Sequence, residues 1–79
     1  MRILDDKADK SINSVSIFLT ETEAIYLIGY LEQLVFEKRG DHSHLSSEDY
    51  QKEITICLYS PDHINNFNHR IRKLIVHDE

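Results

Sequence analysis

The chain has 79 residues, enough for one small domain, and its composition of 41% hydrophobic and 29% charged residues is that of a globular protein. Its net charge is −5, with 9 basic against 14 acidic residues, which argues against nucleic-acid binding because phosphate contacts need clustered Lys and Arg. No apolar run reaches the ~20 residues that span a bilayer, and the first residues are too polar for a signal peptide. We therefore expect a cytoplasmic protein that is not attached to a membrane.

Two strands are predicted near the beginning of the chain, over residues 2–4 and 15–19. Apolar and polar side chains alternate over 15–19, which is the pattern of a strand with one buried face. Residues 5–13 have the polar composition of a loop. Residues 1–13 can therefore also form a loosely held arm.

A first helix is predicted over residues 21–38. Thr20 and Glu23 have the S/T-x-x-E spacing of a capping box. Apolar residues then recur at helical spacing and are expected to face the core. They are Ala24, Leu27, Ile28, Leu31, Leu34 and Val35. Gly40 is expected to end the helix in the left-handed conformation.

The same helix carries tyrosines that point away from this aliphatic stripe. Tyr26 and Tyr30 lie four residues apart, beside Gly29, and glycine costs ~1 kcal/mol relative to alanine inside a helix. Surface tyrosines are frequent hot-spot residues of protein interfaces, so this face is a candidate binding surface. The alternative is that a wide core covers the tyrosine rings and leaves their hydroxyls in water.

A second pair of strands is predicted over residues 42–45 and 54–59, joined by a turn at 48–51. The alternation of aliphatic and polar residues over 54–59 is the clearest strand pattern in the chain. A second helix follows over residues 61–76. Its start is indicated by Ser60, Pro61 and Asp62, which offer an N-cap, a proline at the first helical position and an acid in the first turn.

These elements predict an α+β fold of order ββαββα, with a small, mostly antiparallel sheet and both helices packed on one face. We expect residues 1–79 to form a single domain. The other sheet face carries Phe18 and Tyr59, and two adjacent exposed aromatic residues favour a partner or a homodimer.

Two neighbouring histidines raise the question of a metal site. His42 and His44 lie on one side of an extended segment, and Asp41, Glu48 or His63 could complete a site, since two histidines with a carboxylate hold zinc in other proteins. A structural metal needs three or four protein ligands, however, and the remaining histidines show no convergence with this pair. We therefore expect no bound metal and no cofactor, and a pair of solvated or hydrogen-bonding histidines instead.

No catalytic motif is present in the sequence. The chain has no glycine-rich phosphate loop, no G-x-S-x-G elbow and no H-E-x-x-H. Cys57 lies within an apolar alternation, where a small packing residue is more usual than a nucleophile, and a single cysteine excludes a disulfide framework. We expect a protein that is not an enzyme.

The charge surplus lies between Thr20 and Glu53. Four of its acids follow the first helix. They are Asp41, Glu48, Asp49 and Glu53. An acidic surface attracts a basic protein and speeds its association. The alternative is that the charge only keeps a small domain in solution.

The order of a capped amphipathic helix, a Gly-Asp-His-x-His-Leu segment, a strand and a second helix resembles the small immunity proteins of bacterial polymorphic toxin systems, particularly the immunity protein 32 type. The resemblance covers roughly residues 15–59, and its distinctive motif is the run from His42 to Leu45. This chain has a longer C-terminal helix than that type. The resemblance implies a non-enzymatic, cytoplasmic bacterial protein that binds a cognate toxin and blocks it by occlusion.

The expected function is therefore that of a protein-binding inhibitor whose partner is a protein such as a basic toxin. The residues expected to contact the partner are Tyr26, Tyr30, Asp41, His42, His44, Glu48, Asp49 and Glu53. Two alternatives remain open. One is a small oligomeric module that binds a ligand or metal through His42, His44, Arg70 and Arg72, and the other is a dimerising interaction domain.

Overall fold

A computed structural model of the chain describes residues 1–38 and 42–79. The elements in chain order are β1 (Leu4–Asp5), β2 (Lys10–Ser11), α1 (Glu21–Val35), β3 (His42–Ser46), β4 (Glu53–Cys57) and α2 (His69–His77). The predicted α+β class and the order ββαββα are confirmed. The four strands form two separate antiparallel hairpins, β1 with β2 and β3 with β4.

Two compact units make up the chain. One is formed by Met1–Ile17 together with Tyr59–Glu79, and the other by Phe18–Leu58. The first unit contains β1, β2 and α2, and the second contains α1, β3 and β4. Within the described ranges, neither helix is long and apolar enough to cross a membrane. The expectation of a single domain stays a prediction.

The first hairpin is closed by an aspartate. Asp5 accepts hydrogen bonds at Oδ1 from the backbone N–H groups of Lys7 and Ala8, each at 3.0 Å. Its carbonyl accepts from the N–H of Asp9 at 2.8 Å, and Asp9 takes the left-handed conformation with φ 54°. Asp and Asn favour such turns because their short side chains bond the backbone two or three residues on. The strand predicted at 2–4 therefore lies slightly later, at Leu4–Asp5.

The strand predicted over residues 15–19 does not form. β1 pairs with β2, and residues 12–20 belong to no strand. Val15, Ile17 and Phe18 are exposed, Phe18 to 92%. Alternation predicts which side chains share a face, but a strand also needs a neighbouring strand to pair its backbone groups. The tight turn at Asp5 brings β2 beside β1, so β1 pairs with β2 and is not available to residues 15–19.

The second helix begins eight residues later than predicted. Residues 60–63 form a turn in which the N–H of His63 donates to the carbonyl of Ser60 at 2.9 Å. α2 starts instead after Asn68, whose side chain accepts from the N–H of Ile71 at 2.9 Å. The helix predicted over residues 61–76 was wrong, because a serine followed by a proline is common in turns as well as at the start of a helix.

An arginine from the other end of the chain caps the C-terminal end of α2. Arg2 donates from Nε to the carbonyl of Leu74 at 3.1 Å and from Nη2 to that of Ile75 at 3.0 Å. The Leu74 carbonyl also accepts from the N–H of Asp78 at 2.9 Å, whereas the Ile75 carbonyl belongs to the last turn, where a helix has no internal donors and its dipole is negative. Leu74 and Ile75 are also the buried apolar residues of this unit, so the cap and the core coincide.

Helix α1 starts as predicted. The side chain of Thr20 accepts from the N–H of Glu23 at 3.1 Å, and the Glu23 carboxylate accepts from the N–H of Thr20 at 2.9 Å, which completes a capping box. The helix ends at Val35, earlier than the predicted Lys38. The stop predicted at Gly40 lies outside the described residues.

The apolar stripe of α1 is divided between two environments. Leu34 is 2% exposed, and with Leu45 of β3 it forms the buried apolar core of this unit. α1 packs against β3, yet Ile28, Leu31 and Val35 remain exposed. The prediction that the whole stripe is buried was wrong, because one two-stranded hairpin is too narrow to cover an apolar arc this wide.

Strands β3 and β4 pair in a register that opposes Leu45 to Ile54 and Ser43 to Ile56. These four side chains are buried or half-buried. The alternate positions, which include His42, His44 and Thr55, are exposed. The hairpin therefore has one covered face and one open face, as its period-two pattern predicts.

Candidate functional site

A cleft of about 520 Å³ lies in the second unit, between the first turns of α1 and the turn that joins β3 to β4. It is lined by Thr22, Glu23, Tyr26, Tyr30, His44, Leu45, Ser46, Ser47, Glu48 and Tyr50. We call this the tyrosine cleft. Its walls are a helix face and a hairpin end, both of which are held by a shared carboxylate at its base.

That carboxylate belongs to Glu23, which is only 8% exposed. Oε1 accepts from the N–H of Thr20 at 2.9 Å, and Oε2 accepts from the N–H of Glu48 at 2.8 Å. These two hydrogen bonds lower the pKa of the Glu23 carboxyl below its ordinary value, and the bond from Thr20 has the larger effect. Burial of the carboxyl acts in the opposite direction. Glu23 is therefore a charged structural group, and both of its carboxylate oxygens are already engaged and have little capacity to bind a ligand.

The turn between β3 and β4 is built around Asp49. Its Oδ1 accepts from the Ser47 hydroxyl and from the N–H of Gln51 at 3.1 Å. The bond from Ser47 is the main reason that the pKa of Asp49 is lowered. Ser47 also accepts from the N–H of Lys52 at 3.0 Å. Asp49, predicted to contact a partner, is thus engaged in holding the turn.

The turn presents an aromatic side chain at the rim of the cleft. Tyr50 has φ 60°, an uncommon conformation for a large residue, and its side chain is 86% exposed. Across the cleft, Tyr26 is 56% exposed and Tyr30 is half-buried. Within the described chain, the structure gives the carboxylate of Glu48 no hydrogen bond or ion pair. The cleft therefore offers aromatic rings together with an available negative charge.

The two histidines lie on the open face of the β3–β4 hairpin. The rings of His42 and His44 meet edge to face with centroids 5.3 Å apart. Nδ1 of His44 is 2.8 Å from Oγ1 of Thr55 and 3.1 Å from Oε1 of Glu53. Glu53 and His44, which were both predicted to contact a partner, therefore pair with each other across the two strands. This pairing follows from the register, in which His44 lies opposite Thr55.

The predicted partner-binding residues therefore fall into three groups. Tyr26, Tyr30, His44 and Glu48 line the tyrosine cleft, His42 and Glu53 lie beside it on the hairpin, and Asp49 holds the turn. Asp41 lies outside the described residues. Tyr50 was not among the predicted residues, although its place in a polar turn between two strands is a signal that could have identified it.

A metal site is not assembled in the described ranges. No group of three or more His, Cys, Asp and Glu side chains there could hold an ion. Asp41, one of the carboxylates considered for such a site, falls in the gap between those ranges. Cys57 lies on β4 and is exposed. The predicted absence of a metal and cofactor stays a prediction.

The arginines considered for ligand binding lie on α2. Arg70 is engaged within its own unit, because it donates from Nε to Oδ1 of Asp9 at 2.7 Å and from Nη1 to the carbonyl of Glu79 at 2.7 Å. Arg72 lines a shallow concavity of about 440 Å³ with His69, Lys73, Val76 and His77. Arg70 therefore has a structural role within its own unit. The open basic surface of α2 is formed by Arg72 and Lys73.

Comparison of the chain with protein-family models, with curated proteins and with solved structures finds no match.

Proposed function

We propose that this protein is a non-enzymatic, cytoplasmic binding protein that inhibits a basic protein partner by occlusion, in the manner of a bacterial immunity protein. The partner contact is the tyrosine cleft, and the feature recognised is a basic side chain, Arg or Lys, on the partner. The observation that carries the proposal is the meeting of Tyr26, Tyr50 and Glu48 at the rim of one cleft.

The chemistry of the rim suits a cation. The exposed rings of Tyr26 and Tyr50 offer faces on which a guanidinium or ammonium group is attracted. The carboxylate of Glu48 supplies a negative charge beside them, and a charge-assisted hydrogen bond to Arg is stronger than a neutral one. Exposed tyrosines also contribute large contact area with few rotatable bonds.

Two hydrogen-bonded carboxylates fix the walls of the cleft, which supports binding over catalysis. Glu23 accepts backbone hydrogen bonds at the base of the cleft, and Asp49, in the adjoining turn, accepts from the Ser47 hydroxyl and from the N–H of Gln51. The pKa values of both carboxyls are lowered, so both stay charged near neutral pH. A general acid or base instead needs a pKa close to the working pH. A preorganised, permanently ionised cleft reduces the entropy that a partner must overcome when it binds.

The immunity role rests on the resemblance of residues 15–59 and on the acidic surplus between Thr20 and Glu53. Many toxins that act on nucleic acid have basic clefts, which an acidic inhibitor can occupy. We expect charge attraction to set the rate of association, and the tyrosines to set the rate of dissociation.

Co-expression tests the proposal directly. The product of the gene upstream of this one is expressed in a susceptible host in three ways: alone, together with the wild-type chain, and together with a double variant that carries both Tyr26→Ala and Glu48→Lys. We expect growth arrest by the product alone, rescue by the wild-type chain, and loss of rescue by the double variant. Phe18→Ala combined with Asp62→Lys changes an exposed aromatic residue and an exposed acid that do not line the cleft, so this matched control is expected to retain rescue.

Two outcomes contradict the proposal. An upstream product that is harmless alone, or that still arrests growth beside the wild-type chain, removes the immunity role. Rescue that survives the double variant at equal protein level removes the tyrosine cleft as the contact surface.

A further inference from the structure

Helix α2 carries basic side chains along one face. They recur at positions i, i+3, i+4 and i+8, which lie on the same side of a helix. They are His69, Arg72, Lys73 and His77, with Val76 among them. The same five residues line the shallow concavity of about 440 Å³ on α2, and we call it the basic concavity. No acid is among the described residues that line it.

The helix itself supplies no negative charge to balance this face. The sequence of α2, from His69 to His77, contains no acid. The dipole of a helix favours negative charge at its first turn, and α1 follows that preference with Glu21 and Glu23. Positive charge near the beginning of α2 is therefore unfavourable, and an anion bound beside it would offset the cost.

Arg72 is the residue of this face that most lacks a partner. It is half-buried, yet its side chain makes no hydrogen bond or ion pair with any residue that the structure describes. The other two arginines of the first unit are engaged, since Arg2 donates to carbonyls of α2 and Arg70 donates to Asp9. A guanidinium has five N–H donors, and withdrawing it from water without an acceptor is costly. Arg72 is therefore available to an acceptor from outside the chain.

Lys73 adds a second positive charge that is only weakly engaged. Its Nζ lies 3.7 Å from Oε2 of Glu79, and the two side chains are 49% and 65% exposed. An exposed ion pair of this kind contributes little to stability, so a ligand can compete with Glu79 for the ammonium group. His69 and His77 each add an N–H donor in the neutral as well as in the protonated form.

This set of donors fits a phosphate group better than a carboxylate. A phosphate monoester carries about 1.5 to 2 negative charges at pH 7 and has three acceptor oxygens. Arginine binds two such oxygens at once through its planar fork, and lysine acts as a point charge beside it. A carboxylate has one charge and two oxygens, so it satisfies Arg72 and leaves Lys73 without a partner.

The size of the face favours a single phosphate group over a nucleic acid. Eight residues separate its ends, which is ~12 Å along a helix. The net charge of the chain is −5, and such a charge repels a polymer that carries one phosphate per nucleotide. A small phosphate ester meets much less of this repulsion.

We propose that the basic concavity of α2 binds the phosphate group of a phosphate monoester. Arg72 binds two phosphate oxygens, Lys73 supplies the second positive charge, and Val76 contacts the organic part of the ligand. The site belongs wholly to the first unit. It is separate from the tyrosine cleft and does not depend on the inhibition proposed for that cleft.

Titration of the full ¹⁵N-labelled chain with methyl phosphate tests the site, at about pH 7.5, where the ligand is mainly a dianion. We expect saturable amide shifts along α2, at His69, Arg72 and Lys73, with a millimolar dissociation constant. Methyl sulfate has the same shape and one charge fewer, and is expected to bind at least tenfold more weakly. Equal binding of the two compounds, or shifts confined to other residues, would overturn the proposal.

Arg72→Gln is expected to weaken the binding of methyl phosphate at least tenfold. Arg72→Lys keeps the charge without the fork and should recover only part of the affinity. Lys7→Gln is the matched control, because it removes one positive charge from an exposed turn of the same unit and should bind like the wild type. An Arg72→Gln variant that binds as well as Lys7→Gln would show that no directed contact is made.

Thermal melts keep the test decisive if Arg72→Gln changes the fold. Excess methyl phosphate should raise the Tm of the wild type, and methyl sulfate should raise it less. Lys73→Gln changes a side chain that is 49% exposed, so it should fold normally and still lose several-fold in affinity. Equal stabilisation by the two compounds, or full affinity in Lys73→Gln, contradicts the proposal.

Two larger probes identify the source of the phosphate group, which occurs both on small molecules and on phosphorylated proteins. Phenyl phosphate that binds more tightly than acetyl-phosphoserine amide assigns the site to a small molecule with an apolar part against Val76. The reverse order assigns it to a phosphorylated protein, and either order supports phosphate recognition. Failure of both probes to bind more tightly than methyl sulfate overturns it.

Discussion

The Oε2 atom of Glu23 accepts a hydrogen bond at 2.8 Å from the backbone N–H of Glu48, twenty-five residues further along the chain. The other carboxylate oxygen caps the start of α1 through Thr20. One ionised group thus fixes both walls of the tyrosine cleft. The shape of the cleft therefore depends on the charge of Glu23.

Glu23 is expected to make stability depend on pH. Its pKa in the folded chain is lowered from 4.5, so the unfolded chain binds more protons in acid. The stabilisation is complete above the unfolded pKa and is lost as pH falls through the folded pKa. Thermal melts between about pH 7 and pH 3 should show Tm falling below about pH 4.5.

The variant Glu23→Gln should melt several degrees lower at pH 7 and lose less Tm on acidification, since its side chain does not titrate. Glu21→Gln removes the same charge from the same turn and should keep the acid dependence. Part of that dependence is expected to survive in Glu23→Gln, because the pKa of Asp49 is lowered as well. Identical acid profiles for the wild type and Glu23→Gln would show that the carboxylate does not hold the turn.

The core of the second unit is expected to be sensitive at Leu34 and Leu45. These residues are 2% and 4% exposed, and truncation of a buried leucine to alanine costs ~2–5 kcal/mol through lost burial and the cavity it leaves. Urea denaturation followed by circular dichroism measures the change. Phe18→Ala, at a side chain 92% exposed, should cost less than about 0.5 kcal/mol. Similar costs at all three positions would mean that the core lies elsewhere.

Arg2 is expected to stabilise the first unit through the end of α2. Arg2→Ala removes the donors to the carbonyls of Leu74 and Ile75 and should cost ~1.5–3 kcal/mol, the range for a hydrogen bond of a charged group. Arg2→Lys keeps the charge but not the planar fork that reaches both carbonyls, and should recover only part of the loss. Full recovery by lysine would indicate that charge alone matters, with no role for the two directed bonds.

Local chemistry explains which parts of the fold the sequence predicts. The capping box of Thr20 and Glu23 and the alternation of β4 depend on residues that are close in the chain, and both were predicted. The start of α2 was misplaced because Pro61 favours a turn and a helix start equally. Arg2 at the end of α2 could not be predicted, since the two meet only after the chain has folded.

The candidate site shows the same division. Tyr26 and Tyr30 were identified from their spacing on one helix, and Glu48 from its charge. Their meeting with Tyr50 depends on the hydrogen bond between Glu23 and the turn, a long-range contact with no signature in the sequence. The exposed part of the α1 stripe was missed because periodicity shows that residues share a face and does not show how much of that face a neighbour covers.

The central claim, that the tyrosine cleft binds a basic side chain, is tested most directly by titrating ¹⁵N-labelled protein with acetyl-arginine amide and following amide chemical shifts. We predict saturable shifts, with a millimolar dissociation constant typical of a single small side chain, at Tyr26, Tyr30, Glu48 and Tyr50. Acetyl-citrulline amide, the uncharged isostere, should bind at least tenfold more weakly. Shifts confined to other residues, or equal shifts with both compounds, would contradict the claim.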